Sequence, residues 1–343
     1  MERLYAICSF WAFVAFGIFP GMAQPTLFDH DEVLEIRLEG DFSAFQANLL
    51  KEWGDPPYYP AKFTYQTSAG ESYTVNLKFQ ARGRNRRDPN TCNFPPIRIN
   101  FPGDGEVPTP FNGQNKLKVV THCQEEEAII REYLVYKMYN LISPEESYRV
   151  RMARITYVDT GKGNVESTHL GFFIESAKEM TRRLASNSIS KSIDVNKEDV
   201  DRANLTKVAL FQYMVANNDY DVLTRQNLRI ITNPEFGGMP LAVPYDFDGA
   251  WLVDASYSLA KTMGKKANYL SERKMKRICR ELSEWQEAFK TFKGVEEQVY
   301  ALYEHPGLSK TYRKQALKNL KNFYKTAANE KKVQTEMVGR CQQ

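Results

Sequence analysis

Between Val215 and Trp251 the chain reads "VANNDYDVLTRQNLRIITNPEFGGMPLAVPYDFDGAW", which sets Asp219, Asp221, Asn227, Asp246 and Asp248 among strand-forming apolar residues. Carboxylates are costly to bury unpaired, so acids beside buried strands point to a ligand or a reaction. The local pattern is a helix ending near residues 215–217, a loop carrying Asp219, a strand "NLRII" opened by Asn227, a turn at "NPEFGG" and a returning strand "PLAVPY" that ends at Asp246. A hairpin brings its outer ends together, so Asn227 and Asp246 are expected to be neighbours, with Asp219 facing both. An amide oxygen and a carboxylate at one junction suit Mg²⁺. That ion takes about six oxygens at ~2.0–2.1 Å, usually only one or two of them carboxylates, and fills the rest with phosphate and water. A further acid beside the ion can accept a proton from a hydroxyl nucleophile. Loop capping and turn formation are the structural alternative for Asp and Asn in such a segment.

The elements that must position these groups fall into two halves. "VLEIRLEG" alternates Leu34, Ile36 and Leu38 against charged neighbours, which marks a half-buried strand. "AKFTYQTSAGESYTVNLKFQARG" reads as a hairpin turning at Ser68-Ala69-Gly70, with Tyr73, Val75, Leu77 and Phe79 on one face. "IRINF" and "KLKVV" are further strands, and "EEEAIIREYLVYKMYNLI" is a helix with acids in its first turn and Ile130, Tyr133, Leu134, Lys137 and Leu141 on one face. "YRVRMARITYVD" and "THLGFFIES" return to strand. From about Ala177 the pattern becomes helical: "NKEDVDRANLTKVALFQYMVAN" with Asn196 as cap, then "NYLSERKMKRICRELSEWQEAFKTFK" and "SKTYRKQALKNLKNFYKTAANEKK". The later helices carry apolar stripes (Ile278, Leu282, Trp285, Phe289; Leu317, Leu320, Tyr324) that a core explains without a ligand. The order predicts an α+β chain, a sheet-rich lobe followed by a helical one.

The bulk properties bound location and partners. "MER" followed by the uncharged run "LYAICSFWAFVAFGIFPGMA" reads as a secretory signal over residues 1–23, with cleavage after Ala23. A membrane anchor is the alternative for a run of that length, and Pro20 and Gly21 before the small residue favour cleavage. Removing residues 1–23 takes away one acid and one base, so the mature chain keeps the formal net charge of +4. There is no basic tail or stripe to suggest nucleic acid, and no second apolar run long enough to span a membrane. The chain is therefore expected in the periplasm or secreted. Of five cysteines, Cys92, Cys123, Cys279 and Cys341 lie beyond the leader. Four cysteines allow three pairings, and keeping each pair within one half of the chain selects Cys92–Cys123 and Cys279–Cys341. No CxxC or His-rich spacing suggests zinc. His122, beside Cys123, reads as a packed or turn histidine.

Over most of its mature length the chain resembles the CotH family of spore-coat kinases, especially exported bacterial members with an N-x-D…N…PYDFD pattern. The resemblance runs through "ARGRNRR", "CNFPPIRINF", "NKLKVVTHC", "REYLVYKMYNLI", "HLGFFIES", "NNDYD…QN" and "VPYDFDGAW". It implies a bilobal protein-kinase-like fold, a sheet-rich N-lobe over 24–176 and a helical C-lobe over 177–343 carrying the metal-site hairpin. The implied activity is transfer of phosphate from Mg²⁺–ATP to a hydroxyl on a protein substrate. Carried over position by position, Asp219 is the base, Asn227 and Asp246 hold the metal, and Asp248 stands where a D-F-G-like triplet would have Gly, beside the metal. Glu175 ends the strand where the chain crosses between lobes and would touch adenine. The phosphate-gripping cation is either Arg98 or Lys118. Lys118 could pair with Glu132, although Glu132 taken alone reads as a surface residue of an amphipathic helix.

The chain departs from the protein-kinase pattern at two points. Asp219 and Asn227 are further apart than in a protein-kinase catalytic loop, which makes Asp221 a rival base. No glycine-rich phosphate loop is present: Arg82, Gly83 and Arg84 substitute for it or form an exposed charged turn. Two other classes are compatible with the same residues, a non-catalytic kinase-like envelope or surface protein that binds a partner or structural polymer, and a divalent-metal hydrolase of phosphate esters.

Overall fold

The computed structural model describes residues 26–49, 55–67, 70–83, 85–102, 110–232, 238–258, 269–276 and 278–339. The leader expected over 1–23, Ser68-Ala69 of the first hairpin turn, Arg84, residues 233–237 of the second turn and Cys341 lie outside them.

Seven strands close into a barrel: β1 (Leu34–Gly40), β2 (Tyr59–Gln66), β3 (Ser72–Ala81), β4 (Ile97–Asn100), β5 (Lys116–Val120), β6 (Val150–Asp159) and β7 (Val165–Ile174), in spatial order β1-β2-β3-β4-β5-β7-β6. Each of these segments is a strand in the sequence pattern; closure is the added finding. It comes from β1 lying parallel to β6, with Leu34 opposite Ala153 and Gly40 opposite Asp159, whereas the other pairings are antiparallel. The alternation read from sequence sends Ile36, Leu38, Phe63, Tyr65, Leu77, Phe79, Ile97, Ile99, Leu117 and Val119 into one apolar interior. Helix α1 (Phe42–Ala47), capped by the Asp41 carboxylate on the Ala44 N–H, packs Phe42 and Phe45 against Phe79 and Phe94. The interior is filled by side chains, so any chemistry belongs to the barrel's outer face.

That face meets helix α2 (Glu126–Ile142). Phe172 and Ile174 of β7 and Val150 and Met152 of β6 point outward and join α2 in the second apolar cluster. The one-sided amphipathic helix expected from sequence is instead buried nearly all round, including Arg131 and Glu132. Barrel and C-terminal helices press on it from opposite sides, a fact no periodicity within the helix can report. Arg131 is held by Glu127 at 3.0 Å and lies 4.1 Å from the centroid of the Tyr312 ring.

After α3 (Ala177–Arg183), strand β8 (Asn187–Ser188) joins β9 (Leu228–Thr232) and β10 (Leu241–Pro244) in a three-stranded sheet beside α4 (Arg202–Met214). The expected β9–β10 hairpin forms, with Pro244 opposite Leu228. Helix α4 starts later than expected: Asn196 caps only a short 3₁₀ turn, Val200 is extended, and Asp201 is the cap, accepting from the Asn204 N–H at 2.7 Å. The C-terminal part comprises α5 (Tyr269–Glu272), α6 (Leu282–Gly294), α7 (Glu296–Leu302), α8 (Lys310–Ala327) and α9 (Glu330–Val333), around Trp285, Phe292, Tyr303, Leu320 and Phe323. The long helix expected from Asn268 is broken between α5 and α6. There Arg273 donates to Asn322 at 2.7 Å and stacks on Tyr213, and Lys276 bonds the Tyr220 carbonyl, so tertiary partners override helix propensity. Cys92 and Cys123 form a disulfide, as expected. Cys279 is disulfide-bonded as well. Among the described residues no helix is long and apolar enough to cross a membrane.

Candidate functional site

The end of α4 and the turn after β10 are stitched together by backbone hydrogen bonds, Leu252 N–H to the Val215 carbonyl and Trp251 N–H to that of Ala216. Asp219 follows on a loop whose first turn is set by Asn217, buried, its side-chain oxygen accepting from the Asp219 N–H at 3.0 Å. Gly249 lies against this loop: a side chain there would meet the Asp219 Cβ at 3.7 Å. Thus the "DFDG" turn and the Asp219 loop are neighbours. Ala216, Arg225, Asn227 and Asp246 all have left-handed backbone (φ 52°, 56°, 50° and 63°). Asn and Asp tolerate that region, whereas Ala and Arg adopt it at a cost of about 1 kcal/mol or more, and such strain gathers where geometry serves a site.

The hairpin brings Asn227 and Asp246 to one junction, since the Asn227 carbonyl accepts from the N–H of Tyr245 at 3.0 Å. Their side chains take different partners. The Asn227 amide nitrogen donates to the Asp219 carbonyl at 2.8 Å and to its carboxylate at 2.9 Å. This fixes which end of the amide is which and turns its oxygen away from Asp219. Asp221, the rival base, accepts from the N–H and hydroxyl of Thr224 at 2.8 and 3.0 Å, and these bonds hold its carboxyl below the usual range. It shapes the loop.

Asp246 is anchored through its backbone, its N–H donating to the Tyr136 hydroxyl of α2 at 2.8 Å. Its carboxylate and that of Asp248 converge on one nitrogen, Arg86 Nη2, at 3.4 and 3.3 Å. Arg86 belongs to the 3₁₀ turn Asn85–Arg87 between β3 and β4, within the "ARGRNRR" stretch. Burial raises the Asp248 carboxyl, opposed by Arg86 and reinforced by Asp246 and Asp219. So three of the predicted acids and one unpredicted arginine share a field.

Behind them sits Glu132. It is fully buried, and neither carboxylate oxygen has a hydrogen-bond partner. Burial pushes its carboxyl up to about 8, Arg86 pulling against it and Asp248 and Asp246 adding to it. The surface position expected for Glu132 is thereby corrected, and so is a Lys118–Glu132 pair. Lys118 instead lies 5.4 Å from the Tyr245 ring centroid, and burial, with Arg82, Arg229 and Arg98 nearby, pulls its amine down to about 7 against the opposing charge of Asp246. Arg98 and Lys118, the two candidates for gripping phosphate, are opposite one another on β4 and β5, and Gln80 pairs with Arg98. Both therefore stand on one outer face of the barrel, next to the site. Glu175 is buried just past β7, its carboxylate on Arg183 at 2.9 Å and on the Arg149 N–H at 3.1 Å, its own N–H on the Arg149 carbonyl. It pins α3 to the barrel rim.

Among the described residues no cluster of three or more His, Cys, Asp or Glu is arranged to hold a metal ion. Asp246 and Asp248 converge on one cation and the Asn227 backbone adjoins them; two carboxylates of this kind fit an ion shared with phosphate and do not make an all-protein cage. Arg86 and Tyr136 escaped the sequence reading. The density of arginines in one turn was the signal for Arg86, whereas Tyr136 has the pattern of any other apolar helix position. His122 is packed as expected, between Phe94 and His169, and burial holds its imidazole well down, to about 3. No protein-family model matches the chain, and no curated protein matches it.

Proposed function

We propose that this protein is an exported CotH-like atypical kinase, bilobal in the protein-kinase sense, that transfers phosphate from Mg²⁺–ATP to a hydroxyl on a protein. The observation that carries the reading is the Asn227 amide clamped to Asp219 while Asp246 and Asp248 converge on one cation position. Asn227, Asp246 and Asp248 would hold Mg²⁺ against the phosphates. The ion's chemistry there is neutralisation of charge on the transferring group. Asp219 has one carboxylate oxygen engaged by Asn227, and the other, 3.4 Å from the Gln226 amide nitrogen, would orient the acceptor hydroxyl. That hydroxyl oxygen forms a bond to the terminal phosphorus, the bond from phosphorus to the bridging oxygen breaks with its electron pair leaving on ADP, and the hydroxyl proton passes to Asp219. Arg98 and Lys118 supply positive charge for the phosphates. A buried disulfide, Cys92–Cys123, agrees with an oxidising compartment.

One observation favours a non-catalytic scaffold: Arg86 already neutralises Asp246 and Asp248. Thermal shift with ATP, with and without Mg²⁺, followed by phosphoprotein mass spectrometry, separates the two. The kinase reading requires a Mg²⁺-dependent shift that Asp246→Asn abolishes and transfer that Asp219→Asn lowers at least about 100-fold. Absence of nucleotide binding at millimolar concentration leaves the scaffold.

A further inference from the structure

Glu132 is fully buried and the Arg86 side chain is 11% exposed; each is a leading charged neighbour of the other, and yet neither oxygen of Glu132 is hydrogen-bonded to the guanidinium. One end of the guanidinium, Nη2, reaches Asp246 and Asp248 at 3.4 and 3.3 Å, long for a charge-assisted bond, which is ordinarily about 2.7–2.9 Å. The other end, Nη1, is buried with no partner, as are both oxygens of Glu132. Three polar atoms left open in one buried cluster are costly, and a fork-to-fork Arg–carboxylate pair is the arrangement that satisfies them.

We infer that Arg86 is a two-position cation: it neutralises Asp246 and Asp248 while no divalent ion is bound between them, and it pairs with Glu132 when one is. The inference rests on the proposed metal position at Asp246 and Asp248. A divalent ion there supplies the charge that Arg86 now supplies and repels the guanidinium, whose hold on the aspartates is weak at these distances. The loop that carries Arg86 cannot follow far. The Asp88 carbonyl accepts from the Thr91 and Cys92 N–H groups at 2.8 and 2.9 Å, and Cys92 is tied to Cys123 at the start of the segment leading into α2. The change is therefore a swing of one side chain toward α2. Glu132 becomes a positioning residue for the metal, acting through Arg86: by receiving the arginine it makes release of the aspartates less costly. The other charged groups around Glu132 are Arg82, Asp246 and Asp248.

A double-mutant cycle tests this, with Mn²⁺ as the probe and water-proton relaxation enhancement as the readout on the mature chain. Arg86→Ala removes the competitor and is expected to tighten Mn²⁺ about tenfold. Glu132→Gln is expected to weaken it about tenfold in the wild-type background and by less than about twofold in the Arg86→Ala background, because its effect passes through the arginine. Equal weakening in both backgrounds means Glu132 acts on the ion by its field alone, and the inference falls while the metal position stands. Mn²⁺ binding that Asp246→Asn leaves unchanged overturns the metal position and the inference together. Should Arg86→Ala not fold, Arg86→Gln carries the same cycle.

Discussion

Replacing Glu132 by glutamine should change how stability depends on pH. The carboxyl is fully buried, and burial raises it from 4.5 to about 8 in the folded chain. The unfolded chain releases this proton from about pH 4.5 upward, whereas the folded chain retains it until about 8. Between those values the folded state binds more protons, so stability falls as pH rises, by roughly 3 kcal/mol at pH 7, and levels off above 8. Glutamine keeps the shape and does not titrate. Urea unfolding of wild type and Glu132→Gln at about pH 5 and about pH 7.5 should therefore show the variant gaining about 3 kcal/mol relative to wild type between the two conditions. A difference that stays constant across the range would mean that Glu132 is ionised and paired in the folded chain. The arrangement of Arg86 and Glu132 described above would then be wrong.

The clamp on Asp219 predicts that Asn227→Ala loses about 1–2 kcal/mol of stability by urea unfolding, and that Asn227→Asp loses more, since it sets a carboxylate against that of Asp219. Lys118, pulled down to about 7, should be protonated by an anion bound beside it. Binding of inorganic tripolyphosphate, followed calorimetrically, should take up a proton and weaken as pH rises above about 7, and Lys118→Met should flatten that dependence. Opening the Cys92–Cys123 bridge, which spans 31 residues, by the double Cys→Ser change should cost about 3–4 kcal/mol in the chain-entropy account, read by the same unfolding assay.

How much of this was readable beforehand differs by element. Every barrel strand was visible, because a half-buried strand alternates with period two whatever it later pairs with. The β9–β10 hairpin was visible for the same reason, and its register placed Asn227 beside the residue preceding Asp246. The start of α4 and the break between α5 and α6 do not follow the sequence pattern; at the break, Arg273 leaves the helix for partners 49 and 53 positions away.

Amino-acid order alone was enough to mark the barrel strands and the β9–β10 hairpin, to favour a cysteine pair within the first half, and to expect Asp219, Asn227, Asp246 and Asp248 in one neighbourhood. The strands and the acidic neighbourhood depend on spacings of a few residues or on a hairpin's geometry, whereas the pairing of Cys92 with Cys123, 31 positions apart, is fixed by the fold. The closure of the barrel by β1 and β6, the burial of α2 on both sides, and the meeting of Arg86 with Asp246, Asp248 and Glu132 depend on contacts between segments far apart in the chain: Arg86 and Asp246 are 160 positions apart. Nothing in the composition of α2 distinguishes a glutamate facing water from one shut in beside an arginine. Only packing from both sides decides that, because desolvation is a property of the neighbours and not of the residue.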